Sequence, residues 1–242
     1  MIIRKSLILA KKELVSLSNS PAFYGICLFF TLFCSIWFFY IQRFFSLNMA
    51  SLRPYFAVLP AAFILVIPIL TMKSWAEERK LGSIELLLTM PFSEWELVLG
   101  KFLAAFGAVF ILLVLTLPLP LSIFPLGHFD TGVLVGEYLG ALLLGSSATA
   151  LGLLLSSLSK NQAGAFLGSA AVLLFTMLVN QLTMAFSFPP VITDGINFLS
   201  LAFHFESFSK GIIDTRDLAF FGISTVLFLF LNTRVILFRK WS

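Results

Sequence analysis

Few side chains in this sequence stand where they could do covalent or metal chemistry. His128 lies two residues from Asp130, and His204 two residues from Glu206. Zinc centres gather three or four His, Cys or carboxylate ligands, so two separate His–carboxylate pairs in different loops fall short of a metal site. Gly145-Ser146-Ser147-Ala148 superficially suggests a buried serine nucleophile. Such a serine needs a base within hydrogen-bond reach, and both histidines fall in loops at another depth. A phosphate-cradling loop needs G-x-x-x-x-G-K-[ST]; Gly100-Lys101 is followed by Phe102, and Trp95 stands where the first glycine belongs. Cys27 and Cys34 share one helical face two turns apart, too far to bridge. The chain is therefore read as having no catalytic residue, no cofactor-binding residue and no metal ligand.

The composition explains why. Of 242 residues, 59% are hydrophobic and 12% charged, with 29 Phe and a mean hydropathy of +1.01. Soluble domains carry about 25% charged residues, and monomers seldom expose apolar patches beyond a few hundred Å². The fold class expected is an all-α membrane protein forming a single transmembrane domain over 1–242. A helix needs about 20 apolar residues to cross the hydrocarbon. Runs between charges place about six transmembrane helices at 21–42, 54–72, 102–127, 138–159, 161–188 and 218–238, with Pro118, Pro120 and Pro125 kinking or ending the third. The first run is too long for a signal-peptide core and lacks a small-residue cleavage site, so it reads as an anchor.

The formal charge of +4 sets orientation; no basic stripe interleaved with aromatics points to nucleic acid. With the N-terminus inside, twelve of the 16 Lys and Arg fall on inner segments, and Arg43, Arg53, Lys210 and Arg216 are the outer four. Both termini are thus expected in the cytoplasm. Residues 1–18 alternate as an interfacial amphipathic helix, with Ile3, Leu7, Ala10, Leu14 and Leu17 on one face and Arg4, Lys5, Lys11 and Lys12 on the other.

The informative segment is the inner loop 73–101, KSWAEERKLGSIELLLTMPFSEWELVLGK. Ser74 with Glu77, and Ser93 with Glu96, fit capping boxes. Gly82 suits a helix end, and Pro91 interrupts the loop a second time. Two or three short helices are expected, with Leu86, Leu87 and Leu88 docked to the membrane and Glu77 to Lys80 facing the cytoplasm. A solvated charge run would look the same on composition alone.

The run Ser74-Trp75-Ala76-Glu77-Glu78-Arg79-Lys80-x-Gly82-Ser83-Ile84-Glu85, followed by Pro91, Ser93, Glu96 and Leu99-Gly100-Lys101, resembles the hallmark of ABC type-2 exporter permeases, in particular the gliding-motility-type subgroup. The likeness extends to the amphipathic N-terminus, six spans and a long outer segment before the last. It implies a half-transporter of the plasma (bacterial inner) membrane, paired with a second copy or a related permease among the membrane lipids. It implies a coupling helix seated in a separate ABC ATPase subunit, with ATP and Mg held in that partner. Glu77, Glu78, Arg79 and Glu85 become the residues expected to touch the ATPase. Alternatives from other classes are a non-catalytic scaffold of a secretion or motility complex and, more remotely, an intramembrane enzyme.

Elsewhere, Gly132, Gly136 and Gly140 on span four and Gly164 and Gly168 on span five have the spacing that lets helices approach closely, within the chain or between two copies. Glu137, at the outer end of span four, is an ionisable group in a membrane helix and so a pathway candidate. Asn180 and Gln181 could line a pathway or bond another helix. Residues 189–217 read as a short outer helix with loops.

Overall fold

The computed structural model describes residues 2–43, 51–83, 85, 89, 92–126, 129–185 and 189–240. Among the described residues every regular element is helical. They are α1 (Ile2–Ser18), α2 (Pro21–Ile36, continued by a π-helical turn at Trp37–Ile41), α3 (Arg53–Phe56) and α4 (Leu59–Lys80). There follow α5 (Glu94–Thr116), α6 (Pro118–Ile123, with a 3-10 turn at Phe124–Leu126), α7 (Thr131–Leu158) and α8 (Gln162–Ala185). α9 (Pro190–Leu199), α10 (Leu201–Ser209) and α11 (Thr215–Lys240) complete the chain. Among the described residues, six stretches are long and apolar enough to cross a membrane: Pro21–Ile41, Arg53–Lys80, Glu94–Ile123, Thr131–Leu158, Gln162–Gln181 and Thr215–Phe238. The fold is that of a multi-pass, all-helical membrane protein.

The helices run past the apolar stretches that announce them. α4 continues through Lys73 to Lys80, so Ser74 lies inside a helix and caps nothing, contrary to the expected capping box. The helix stops only where Gly82, at φ +71°, takes the left-handed conformation open to glycine. Ser93 and Glu96 do form the reciprocal box: the Ser93 hydroxyl accepts from the Glu96 N–H at 3.3 Å, and the Glu96 carboxylate accepts from the Ser93 N–H at 2.9 Å. α5 therefore begins at Glu94, eight residues before the expected start at Phe102. The ends of the charged loop of 73–101 thus belong to α4 and α5, which leaves 81–93 between the two helices. Leu86, Leu87, Leu88 and Pro91 lie outside the described residues.

Pro118 ends α5 and opens α6, the kink its ring demands. Asp130 starts α7 by accepting from the Gly132 N–H at 2.8 Å and the Val133 N–H at 3.4 Å, seven residues before the expected start at Tyr138. α11 runs unbroken through Arg234, and its membrane-length stretch, Thr215–Phe238, contains that residue.

α7 is the central helix, packed by α4, α5, α8, α10 and α11. A Cβ added at Gly140 would come within 2.5 Å of the Phe208 side chain, at Gly145 within 2.8 Å of Val109, and at Gly152 within 2.5 Å of Thr71. Each is a place where a neighbouring helix approaches a bare backbone. A Cβ at Gly136 would lie 3.8 Å from the backbone of Phe208 and Gly211, an ordinary contact. Hydroxyl pairs join α7 to α11, Ser147 to Ser224 at 2.8 Å and Ser146 to Thr225 at 3.2 Å. Of the other singled-out glycines, Gly132 and Gly164 meet only their own helix caps, and a Cβ at Gly168 would touch nothing within 4 Å.

Residues 189–217 also differ from a short outer helix with loops. α9 and α10 are consecutive helices, and α10 buries Leu201, His204, Phe205 and Phe208 against the bundle. α1 packs on α5, but through Leu9, Ala10 and Leu14, while Leu7 is exposed. The face carrying α1 and the 81–93 connection is the near face; the opposite one is the far face.

The packing predicts unequal glycines. Gly140→Leu must displace Phe208 and should destabilise by about 1–3 kcal/mol, read as a clear drop in melting temperature in detergent. Gly168→Leu should leave the melting of a single copy unchanged. Equal melting of both variants would show that the α7–α10 contact is slack.

Candidate functional site

On the near face the charges gather around one lysine. Lys101, in the second turn of α5, has a side chain 2% exposed. Its ammonium lies 2.7 Å from Glu78 Oε1 on α4 and 3.2 Å from Glu13 Oε1 on α1. It also sits 5.0 Å from the centre of the Trp75 ring, a cation–π contact that desolvation strengthens. One cation thus ties three helices. Close approach is permitted by Gly100, where a Cβ would fall 2.7 Å from Leu9.

A second fastening holds α4 to α7. The Ser156 hydroxyl accepts from the backbone N–H of Trp75 at 3.2 Å and of Ala76 at 3.4 Å, and donates to the Met72 carbonyl at 3.2 Å. Seven residues along α4 from Met72, the Arg79 guanidinium donates to the Ser159 carbonyl at 3.0 Å. The projecting end of α4 is therefore clamped from the α5 side by Lys101 and from the α7 side by Ser156 and Ser159.

Between α1 and α4 a cleft of about 400 Å³ opens, whose charged lining is Glu13, Lys73, Glu77, Glu78 and Lys101. Of the residues read as facing a partner, Glu77 lines this cleft half-buried and Glu85 is exposed. Glu78 and Arg79 turn inward and bond within the chain. Lys80 and Leu81 are exposed at the tip. Farther along the near face, buried Glu96 stands 3.9 Å from the Lys5 ammonium.

The far face holds the other candidates. Glu137 is 0% exposed, and neither carboxylate oxygen has a hydrogen-bond partner among the described residues. It lines a pocket of about 280 Å³ together with Arg53 and Asp130. Asn180 and Gln181 line a pocket of about 270 Å³ between α4, α8 and α10. The Asn180 Oδ1 is buried with no partner among the described residues, so its side chain does not bridge helices through that atom. His204 pairs with Asp217 at 2.6 Å and, through Nε2, with the Phe198 carbonyl at 3.2 Å, while Glu206 pairs with Lys210 at 2.9 Å. No three metal-ligating side chains cluster among the described residues, and His128 lies outside them.

The profile described as "ABC-2 family transporter protein" matches residues 45–231, a range that includes the clamped end of α4, Lys101, the second to fifth spans and most of the sixth. The chain belongs to the ABC-2 transporter family. It is the permease subunit of an ABC transporter, a membrane component that works with an ABC ATPase subunit in this family. No curated protein matches it.

The permease's two clamp residues, Lys101 and Ser156, are not among the site residues that the sequence suggests. Lys101 reads there as a flanking charge; its signal is a lysine about two turns inside a helix that the Ser93–Glu96 box has already begun. Ser156 carries no signal, since Ser in an apolar span is ordinary.

The clamp makes a stability prediction. Lys101→Met leaves two carboxylates facing each other without their cation. Removing one partner of a buried pair costs about 3–5 kcal/mol, reduced here because Glu13 and Glu78 keep side-chain exposures of 30% and 22%. The variant should melt well below the parent and expose α1 to protease. Adding Glu13→Gln and Glu78→Gln should recover much of the loss, and unchanged melting of the single variant would mean that the clamp contributes nothing.

Proposed function

We propose that this permease is the membrane half of an exporter, and that the end of α4 with the 81–93 connection is its coupling element. A separate ATPase subunit, holding ATP and Mg, docks there, and a second copy or a related permease completes the pathway. The observation that carries the reading is the double clamp on α4. A helix that runs unbroken from the membrane to its charged tip, held by Lys101 on one side and by Ser156 on the other, passes a push on the tip directly to the second span. Adenine-nucleotide chemistry in the partner then changes the bundle without any covalent step in this chain. The likeness of the Ser74–Lys101 motif to gliding-motility-type permeases agrees with this assignment.

The residues expected to touch the ATPase divide on this reading. Glu77, Glu85 and the exposed Lys80 present charge to the partner, whereas Glu78 and Arg79 keep the lever stiff. Charge at an interface mainly sets register and association rate, and losing one buried partner costs about 2–5 kcal/mol. The near face is cytoplasmic, as the Lys and Arg bias favours, in the plasma (bacterial inner) membrane. Substrate moves past the far-face pockets of Glu137 and of Asn180 and Gln181.

Two experiments test the proposal. In a Cys27- and Cys34-free background, cysteines at 74 and 160 should label from the cytoplasmic side and at 130 and 194 from outside; outside labelling at 160 would overturn the orientation. The Glu77→Lys, Glu85→Lys double variant should insert and accumulate normally, yet retain at most about a tenth of its ATPase in pull-downs and lose stimulated ATP turnover. Asp214→Lys, on the far face, should change neither. Normal retention and turnover in the double variant would remove the near-face acids from the coupling surface.

A further inference from the structure

Outside the bundle, α5 and α11 leave an apolar groove of about 600 Å³ between Trp95 and the outward side of α11 from Gly222 to Phe230. Ile223 and Val226 in its wall are 68% and 63% exposed, and a Cβ at Gly222 would meet nothing within 4 Å, so the groove is open at that end. Its other end is polar and aromatic. Trp95, in the first turn of α5, lies 6.2 Å from the Phe230 ring, and the Arg234 guanidinium sits 4.8 Å over the same ring. Arg234 has no ion-pair partner among the described residues, and no acid occurs between Leu218 and Phe238.

The length identifies the occupant. From Gly222 to Arg234 the helix rises about 18 Å at 1.5 Å per residue, slightly more than half of a hydrocarbon core about 30 Å thick. Trp and Arg are residues of the headgroup level. The groove thus begins at the near-face interface and ends near the bilayer midplane, which is the reach of one acyl chain in one leaflet. A second copy of the chain would have no reason to fit a slot one leaflet deep with a single cation at its mouth. We propose that this groove holds one acyl chain of an anionic glycerophospholipid, with the phosphate against Arg234 and the chain along Ile223, Val226 and Phe230. Gly222 leaves room for the chain's end, and Trp95 closes the side at the ester level. The site is independent of the coupling proposal.

The test uses the full-length permease in mild detergent with defined lipids, dioleoyl phosphatidylglycerol against dioleoyl phosphatidylcholine, read by native mass spectrometry and by melting. The parent should retain the anionic lipid at least about tenfold over the zwitterionic one and melt higher in its presence. Arg234→Gln should abolish the preference while keeping some bound lipid. Gly222→Phe fills empty space, so its lipid-free melting should match the parent, yet it should retain neither lipid. Equal retention of the two lipids by the parent would reduce the groove to ordinary lipid-facing surface. A change of oligomeric mass in Gly222→Phe would make it a contact between copies and overturn the assignment.

Discussion

The Lys101 ammonium is buried in a helix that faces both membrane and protein, and only its neighbours make that tolerable. Isolated charges are expelled from such places or lose their charge, so Lys101 stays where it is because Glu13, Glu78 and the Trp75 face meet it from α1 and α4. The same condition works in reverse. α1 could lie anywhere on a lipid surface by its amphipathic pattern alone, and the ion pair from Glu13 gives it one position. α4 could fray beyond Met72, where the apolar run ends, and the pair from Glu78 with the Ser156 and Arg79 bonds keeps it helical to Lys80.

Membrane helices gain little from the hydrophobic effect against one another, since lipid is as apolar as leucine; close packing and interhelical hydrogen bonds must hold them. α7 shows both devices. Its glycines let Phe208, Val109 and Thr71 approach the backbone, and its hydroxyls pair with Ser224 and Thr225 on α11. Because α7 also grips the end of α4, the helix that organises the bundle is the one that receives any movement of the near-face tip.

Much of this is legible from residue types. Length and apolarity mark six spans, and Ser93–Glu96 and Gly82 mark a helix start and a helix end where the structure has them. Ser74–Glu77 misleads because a capping box is a local pattern, whereas continuation of α4 rests on Ser156, 81 residues from Trp75. Reading charges as the ends of helices puts span starts at Phe102 and Tyr138; Lys101 and Glu137 are instead buried inside those helices. Gly140 is a contact by its close approach to Phe208, but Gly145 and Gly152 serve the same purpose without G-x-x-x-G spacing, and Gly168 faces open space. His204 has Glu206 as its acidic neighbour in sequence, while the fold brings it Asp217. In each case the missing information is which helix lies alongside, which no local pattern contains.

If α1 and the projecting end of α4 move as one body, the distance between them must hold through the transport cycle. Pulsed electron–electron resonance between spin labels at the exposed positions 11 and 80 measures it directly, in a Cys27- and Cys34-free permease reconstituted with its ATPase. The predicted result is one narrow distance distribution that stays the same with and without ATP turnover, and that broadens when Lys101→Met is added. A distribution that is broad in the parent, or that splits into two distances during turnover while Lys101 is intact, would contradict it.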